Sequence, residues 1–208
     1  MKNEKETKAN LLASAKKEFM EKGYTQASLR NICKNAGVTT GALYFFFRDK
    51  EALFASLVEE PLHGLFEIMQ SHYRLELQVS ADNPINLRSR EAIDGDLEVC
   101  VQVVHFMYRY YDEFLLLLTK SQGSGYERCI EQFVTISEKH YRMLSDCCSS
   151  QYHTKPVEEY MIHWMSHMQV DVFVHLITHQ SEEEEACRHI KEIVKRMRLG
   201  WVDLFIPQ

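Results

Sequence analysis

The chain has 208 residues, 45% of them hydrophobic and 26% charged, with a formal net charge of −6. That balance is ordinary for a soluble globule and leaves room for one domain or two. It excludes a membrane-spanning chain, because no apolar run approaches the ~20 residues a span requires, and six scattered cysteines with no C-x-x-C pair argue against a disulfide framework.

The charge is uneven. Residues 1–50 hold ten Lys/Arg against five Asp/Glu, a local +5, while the remainder carries −11. Local charge governs contact with a polyanion, so the acidic total does not exclude nucleic acid. No apolar stretch follows the first residues, and the expected location is cytoplasmic.

Only 8 Gly and 4 Pro punctuate the chain, and no hairpin dipeptide separates alternating runs. The pattern predicts an all-α protein of about nine helices. The first is expected over 4–22, with Leu12, Ala15 and Phe19 on one face and Gly23 as its stop. The second fits 28–35, with Ser28 as N-cap and Leu29, Ile32 and Cys33 inward. A third begins at Thr39 or Thr40 and carries the aromatic run Tyr44–Phe47. Asp49 reads as the N-cap of a long fourth helix, expected to kink or restart at Pro61.

Residues 80–91 read as a polar loop. From Ile93 a helix apolar on nearly all sides predicts a central element. A short helix follows over 111–120. Ser124 and Glu127 suggest a capping box opening a helix to about Leu144. Thr154 and Pro156 open the next, to about Thr178, and Ser181 opens the last, whose inner face is Ala186, Ile190, Ile193, Val194, Met197, Trp201, Leu204 and Phe205.

Two short helices joined by Ala36–Gly37–Val38 fit a helix-turn-helix. Leu43 and Phe47, at i and i+4, are expected inside. Tyr44 and Phe45 are expected outside, with Phe46 between. At these residues the stretch "LLASAKKEFMEKGYTQASLRNICKNAGVTTGALYFFFRDKEALF" resembles the TetR family of bacterial transcription regulators. The resemblance covers residues 8–54 through the G-Y turn, S-L-R-x-I, A-G-V, G-x-L-Y and K-E-x-L. It implies a DNA-binding domain over 1–50 and an effector-binding and dimerisation domain over 51–208.

Carried across residue by residue, the resemblance implies that Arg30 and Thr40 read bases. Thr39, Tyr44 and Lys50 would hold phosphates, Ser28 would cap the second helix near the backbone, and Gly41 would let backbone approach DNA. Phe45 and Phe46 stand where members often place hydrogen-bonding contacts, so apolar contact with thymine methyls is expected to weigh more here. The expected function is a ligand-responsive regulator, a repressor acting as a homodimer through the last two helices on a palindromic double-stranded DNA operator. Pro61 and the 121–125 turn are the expected hinges.

Phe66, Met69, Tyr73, His105, Tyr108, Phe133, His140 and Tyr141 are the candidate effector residues, suited to an apolar or aromatic small molecule with a few polar handles. His163, His167, Asp171 and His175, each four apart, make a stripe that a metal could use, or a polar seam. Adjacent Cys147 and Cys148 raise the question of redox sensing. No catalytic motif is present, so no enzyme activity and no cofactor are expected. The alternative is a metal- or ligand-binding helical bundle without DNA activity.

Overall fold

The structure, a computed structural model, describes residues 2–82 and 84–206. Among these, nine helices and no strand are found: α1 Lys2–Gln26, α2 Leu29–Asn35, α3 Thr40–Phe46, α4 Lys50–Asp82, α5 Arg90–Arg109, α6 Tyr111–Thr119, α7 Cys129–Tyr152, α8 Glu159–His179 and α9 Glu183–Phe205. None is long and apolar enough to cross a membrane.

The contacts sort the chain into two units, residues 1–63 with 110–129, and residues 64–109 with 130–208. The sequence reading put a single division at residue 50. Here the first turns of α4, with α6 and its following turn, group with the N-terminal helices.

In the first unit α1 buries Leu11, Ala15 and Phe19, the i, i+4, i+8 stripe; Leu12, expected inside, is only half-buried. The helical geometry of α1 breaks at Gly23, whose φ of 72° is the left-handed region glycine tolerates. Phe54 of α4 is fully buried against Phe19, Tyr24 and Tyr126. Lys16 of α1 bridges Asp112 and Glu113 at the start of α6, at 2.9 and 2.8 Å. Tyr24 N–H donates to the Lys120 carbonyl at 2.8 Å, and Thr25 Oγ1 to the Gln122 carbonyl at 2.7 Å. These bonds explain why α6 belongs with α1.

Several boundaries differ from expectation for local reasons. The α4 helix runs through Pro61 without restarting, and Pro61 is buried. Ser124 and Glu127 do not cap α7: Ser124 Oγ accepts from Tyr126 N–H and Glu127 accepts from Gly123 N–H, so both tie the turn that precedes the helix. The α8 helix begins at Glu159, later than Thr154.

In the second unit α5 is not a central helix. It buries one face, Cys100, Val103, Val104 and Met107, while Leu97, Val99 and Val101 are half-exposed. From that face Cys100 and Val104 join Leu176 of α8 with Ala186 and Ile190 of α9. The Phe106 ring lies directly against Gly64, where a Cβ would collide with it. A second core gathers Tyr141, Leu144 and Cys148 of α7 with Ile162 and Met165 of α8 and Phe205 of α9.

The segment after α4 is less polar in role than in composition. Ile85 and Leu87 are buried in this core, and Gln151 and Tyr152 bond the Ile85 backbone. Asn83, within the loop expected over 80–91, lies outside the described residues. On α9, Ala186, Ile190 and Phe205 are buried as expected, but Leu204 is exposed and Ile193, Val194, Met197 and Trp201 are only partly covered.

Candidate nucleic-acid interface and effector residues

The second helix is built from both ends. Ser28 takes an extended conformation and its Oγ accepts from Asn31 N–H at 3.4 Å, the N-cap arrangement. Its own N–H is held by Glu18 of α1, at 3.1 Å. Glu18 is buried, also accepts from Asn31 Nδ2, and lies at the positive end of the α2 dipole. Sequence reasoning missed Glu18, because it is ten residues upstream and only the fold brings it to the cap. At the other end, Val38 N–H bonds Cys33 O at 3.0 Å and Gly37 N–H bonds Lys34 O at 3.2 Å. This is a Schellman closure, and Gly37 has the φ of 68° it needs.

The third helix starts on Thr39, whose Oγ1 accepts from Ala42 N–H at 3.2 Å. Leu43 is completely buried and Phe47, just past the helix end, is 4% exposed. Tyr44 and Phe45 are 57% and 72% exposed, and Phe46 is half-buried. The aromatic run therefore divides by face, as the 3.6-residue period requires. Phe45 stands edge-on to Phe46, with centroids 5.0 Å apart. Arg30, Thr39, Thr40 and Gly41 are also exposed. Large apolar surface beside hydroxyls and a guanidinium, on a helix whose other face is fully packed, is a surface built to touch something.

Lys50, expected to grip phosphate, is also engaged within the fold. Its Nζ donates to the Thr25 and Ala27 carbonyls, at 3.0 and 2.9 Å, and sits 4.8 Å from the Tyr24 ring centre. Two of its three donors are therefore spent on the α1–α2 connection. Desolvation there pushes its pKa below the usual lysine range. Lys50→Met is expected to destabilise the fold by about 1–3 kcal/mol, since hydrogen bonds to a charged group are lost and two carbonyls are orphaned. Urea unfolding measures this. A salt dependence of DNA binding left unchanged by the substitution assigns Lys50 to the fold alone, and a slope reduced by about 0.9 gives it a phosphate as well.

The candidate effector residues fall into separate groups. Phe66 and Phe133 stack at 4.3 Å, and Met69 of α4 is half-buried. Tyr73 stacks on His140 at 3.9 Å and 6°, and its hydroxyl lies 3.1 Å from Ser137 Oγ. Tyr141 donates to Gln169 Oε1 at 2.9 Å, and Tyr73 reaches the same oxygen at 3.4 Å. Burial raises both phenol pKa values. His105 and Tyr108 do not join them. His105 is exposed and pairs with Glu183 at 2.6 Å, and Tyr108 donates to the Gln180 carbonyl at 2.6 Å. Both lie along the α5–α9 side, apart from that cluster. Ser137, Gln169 and Glu76 were missed; the partners that place them here, Tyr73, Tyr141 and His140, are remote in sequence.

The histidine stripe on α8 separates into pairs. The His163 and His167 rings are 4.5 Å apart, and His163 bonds Glu138 at 2.5 Å. His175 stacks instead on His179, at 4.2 Å. Cys147 is exposed and Cys148 fully buried, with its thiol pushed up to about 11 by desolvation.

The capped helix, the glycine-closed turn and the second helix with an exposed reading face define a helix-turn-helix DNA-binding unit. The pattern described as "Bacterial regulatory proteins, tetR family" matches residues 11–57. The transcriptional repressor BepR of Brucella suis is 33% identical over 88 residues, 42% of this chain and 40% of that protein. The regulator AcrR of Shigella flexneri is 36% identical over 80 residues, 38% of this chain and 34% of that one. The aligned stretch thus spans two fifths or less of these relatives. Similar folds occur in a transcriptional regulator from Aquifex aeolicus (TM-score 0.59, 19% identity, covering 92% of this chain and 99% of that one). Another is NalD of Pseudomonas aeruginosa, the secondary repressor of the MexAB-OprM efflux pump (TM-score 0.56, 18% identity, covering 95% and 98%). Residues 11–57 thus match the DNA-binding region of the TetR family of transcriptional regulators, and the fold of the chain is like that of TetR/AcrR-type regulators. Members of this family are DNA-binding transcription factors rather than enzymes.

Proposed function

We propose that the protein is a cytoplasmic repressor that binds a palindromic operator as a homodimer and is released by a small molecule held in its second unit. The observation that carries the DNA side is the exposure of Tyr44 and Phe45 beside Thr39, Thr40, Gly41 and Arg30, on a helix anchored by buried Leu43. Thr40 and Arg30 meet base edges in the major groove, and Thr39 and Tyr44 fix the register on phosphates. Repression is argued from the related proteins BepR and NalD, both described as repressors.

One helix-turn-helix makes few base contacts, and two modules about 34 Å apart are the usual remedy. Exposed Tyr160 and Trp164 on α8, and Leu199 and Leu204 on α9, support pairing of these two helices with their copies. For the effector, the stacked Phe66–Phe133 pair and the Tyr73, His140 and Tyr141 cluster favour an aromatic or apolar compound with a polar handle.

Selection from random duplexes, followed by a salt titration of the selected site, tests the reading. The expected result is a two-fold symmetric sequence whose binding falls linearly with log salt, by about 0.9 per phosphate neutralised. A chain that ignores duplexes at low ionic strength, or binds all of them alike, would leave the helical-bundle alternative without DNA activity.

A further inference from the structure

In the second unit, α4 and α5 bring a histidine and two carboxylates to one place. His72 and Glu76 are i and i+4 on α4, hence one turn apart on a shared face. Asp96 reaches them from α5. One ligating atom from each of the three lies within 4.8 Å of the others. His72 Nε2 and Asp96 Oδ1 are 3.4 Å apart. Bonds of ~2.0–2.1 Å to a tetrahedral ion set its ligands about 3.4 Å apart, so this edge already has the required length. The side chains are 21–23% exposed, sheltered from bulk water but within reach of an ion.

Both carboxylates are also held from outside the cluster. Arg198 of α9 bonds Asp96 Oδ2 and donates to the Leu87 carbonyl at 2.6 Å. His140 Nε2 meets Glu76 Oε2 at 2.9 Å. The His140 side chain is 3% exposed, and its Nδ1 has no partner among the described residues. A proton on Nε2 fits this geometry, since an N–H at Nδ1 would have nothing to accept it. Carboxylates that ligate metals are characteristically fixed by such outer donors, and a carboxylate's two oxygens serve both sides at once.

We propose that His72, Glu76 and Asp96 bind one divalent first-row transition ion, with zinc the best match to one imidazole and two carboxylates. The donor set lacks the thiolates of a copper(I) site and the six to eight oxygens of a calcium site. The site is distinct from the α8 histidine stripe, and the proposal does not depend on DNA binding.

The test uses the full chain, untagged and stripped with chelator. Zn²⁺ is titrated calorimetrically, and Co²⁺ by visible absorption. One equivalent per chain is expected, with Co²⁺ bands lacking thiolate charge transfer, and with a raised melting temperature. His72→Ala and Asp96→Asn should each weaken binding at least tenfold and abolish the thermal shift. Glu76→Gln, close in shape, guards against a folding defect in the other two. His163→Ala/His167→Ala should bind as the parent does. No stoichiometric uptake, uptake unchanged in His72→Ala, or uptake lost with the α8 pair overturns the site.

Discussion

Phe54→Ala is expected to destabilise the DNA-binding unit by about 3–5 kcal/mol, the range for emptying a buried phenylalanine site. Phe54 is fully buried, and three aromatic rings close on it. Phe19 and Tyr24 stand edge-on at 5.1 and 5.3 Å, and Tyr126 is tilted at 5.9 Å. The three rings come from α1, its C-terminal end and the turn after α6, so one truncation loosens several connections together. Rigid neighbours of this size cannot collapse into the void, which puts the cost toward the upper end. Against a total stability of roughly 5–15 kcal/mol, the loss is a third or more. Urea unfolding should show a lower midpoint, and DNA binding should fail as the unit melts. Phe54→Leu, which retains most of the volume, should recover much of the loss. An unchanged midpoint for Phe54→Ala would mean that this ring cluster does not hold the unit together.

The second large effect is expected at the operator. Arg30→Ala and Thr40→Ala should each cost about 1–3 kcal/mol per half-site and relax base preference where the side chain reads. A symmetric dimer counts the loss twice, so affinity should fall by roughly one to four powers of ten. Tyr44→Phe removes only a hydroxyl, and should weaken selected and unrelated duplexes alike. All three positions are exposed, and surface changes of this kind leave stability within about 0.5 kcal/mol. Fluorescence anisotropy on the selected duplex and on single-base variants separates the cases. Parent-like binding by Arg30→Ala and Thr40→Ala together would remove α2 and α3 from the reading role.

Much of the DNA-binding unit was legible because its signals are local. A serine or threonine cap acts on N–H groups three residues away, and Ser28, Thr39 and Asp49 all do so. Gly37 declared a left-handed turn, and the helical period alone divided Tyr44 and Phe45 from Leu43 and Phe47. The intramolecular bonds of Lys50 were not legible for the opposite reason. An isolated lysine near a helix start looks available to phosphate until the fold brings two backbone carbonyls to its ammonium.

The second unit was legible only as a set of helices. Periodicity showed that α5 and α9 have apolar faces, but not which neighbour each face meets. His105 and Tyr108 illustrate this: they share α5 with buried Val104 and Met107, yet turn toward Glu183 and Gln180.

By itself, then, the sequence determined where helices begin and end around the turn, and which residues of α3 look outward. Those outcomes depend on capping and on a 3.6-residue repeat, interactions that reach no more than a few positions along the chain. Tertiary structure alone decided that Glu18 caps α2, that α6 belongs with α1, and that His72, Glu76 and Asp96 meet beneath Arg198. Such meetings join residues from ten to more than a hundred positions apart, and they exist only after packing has paired the helices' apolar faces.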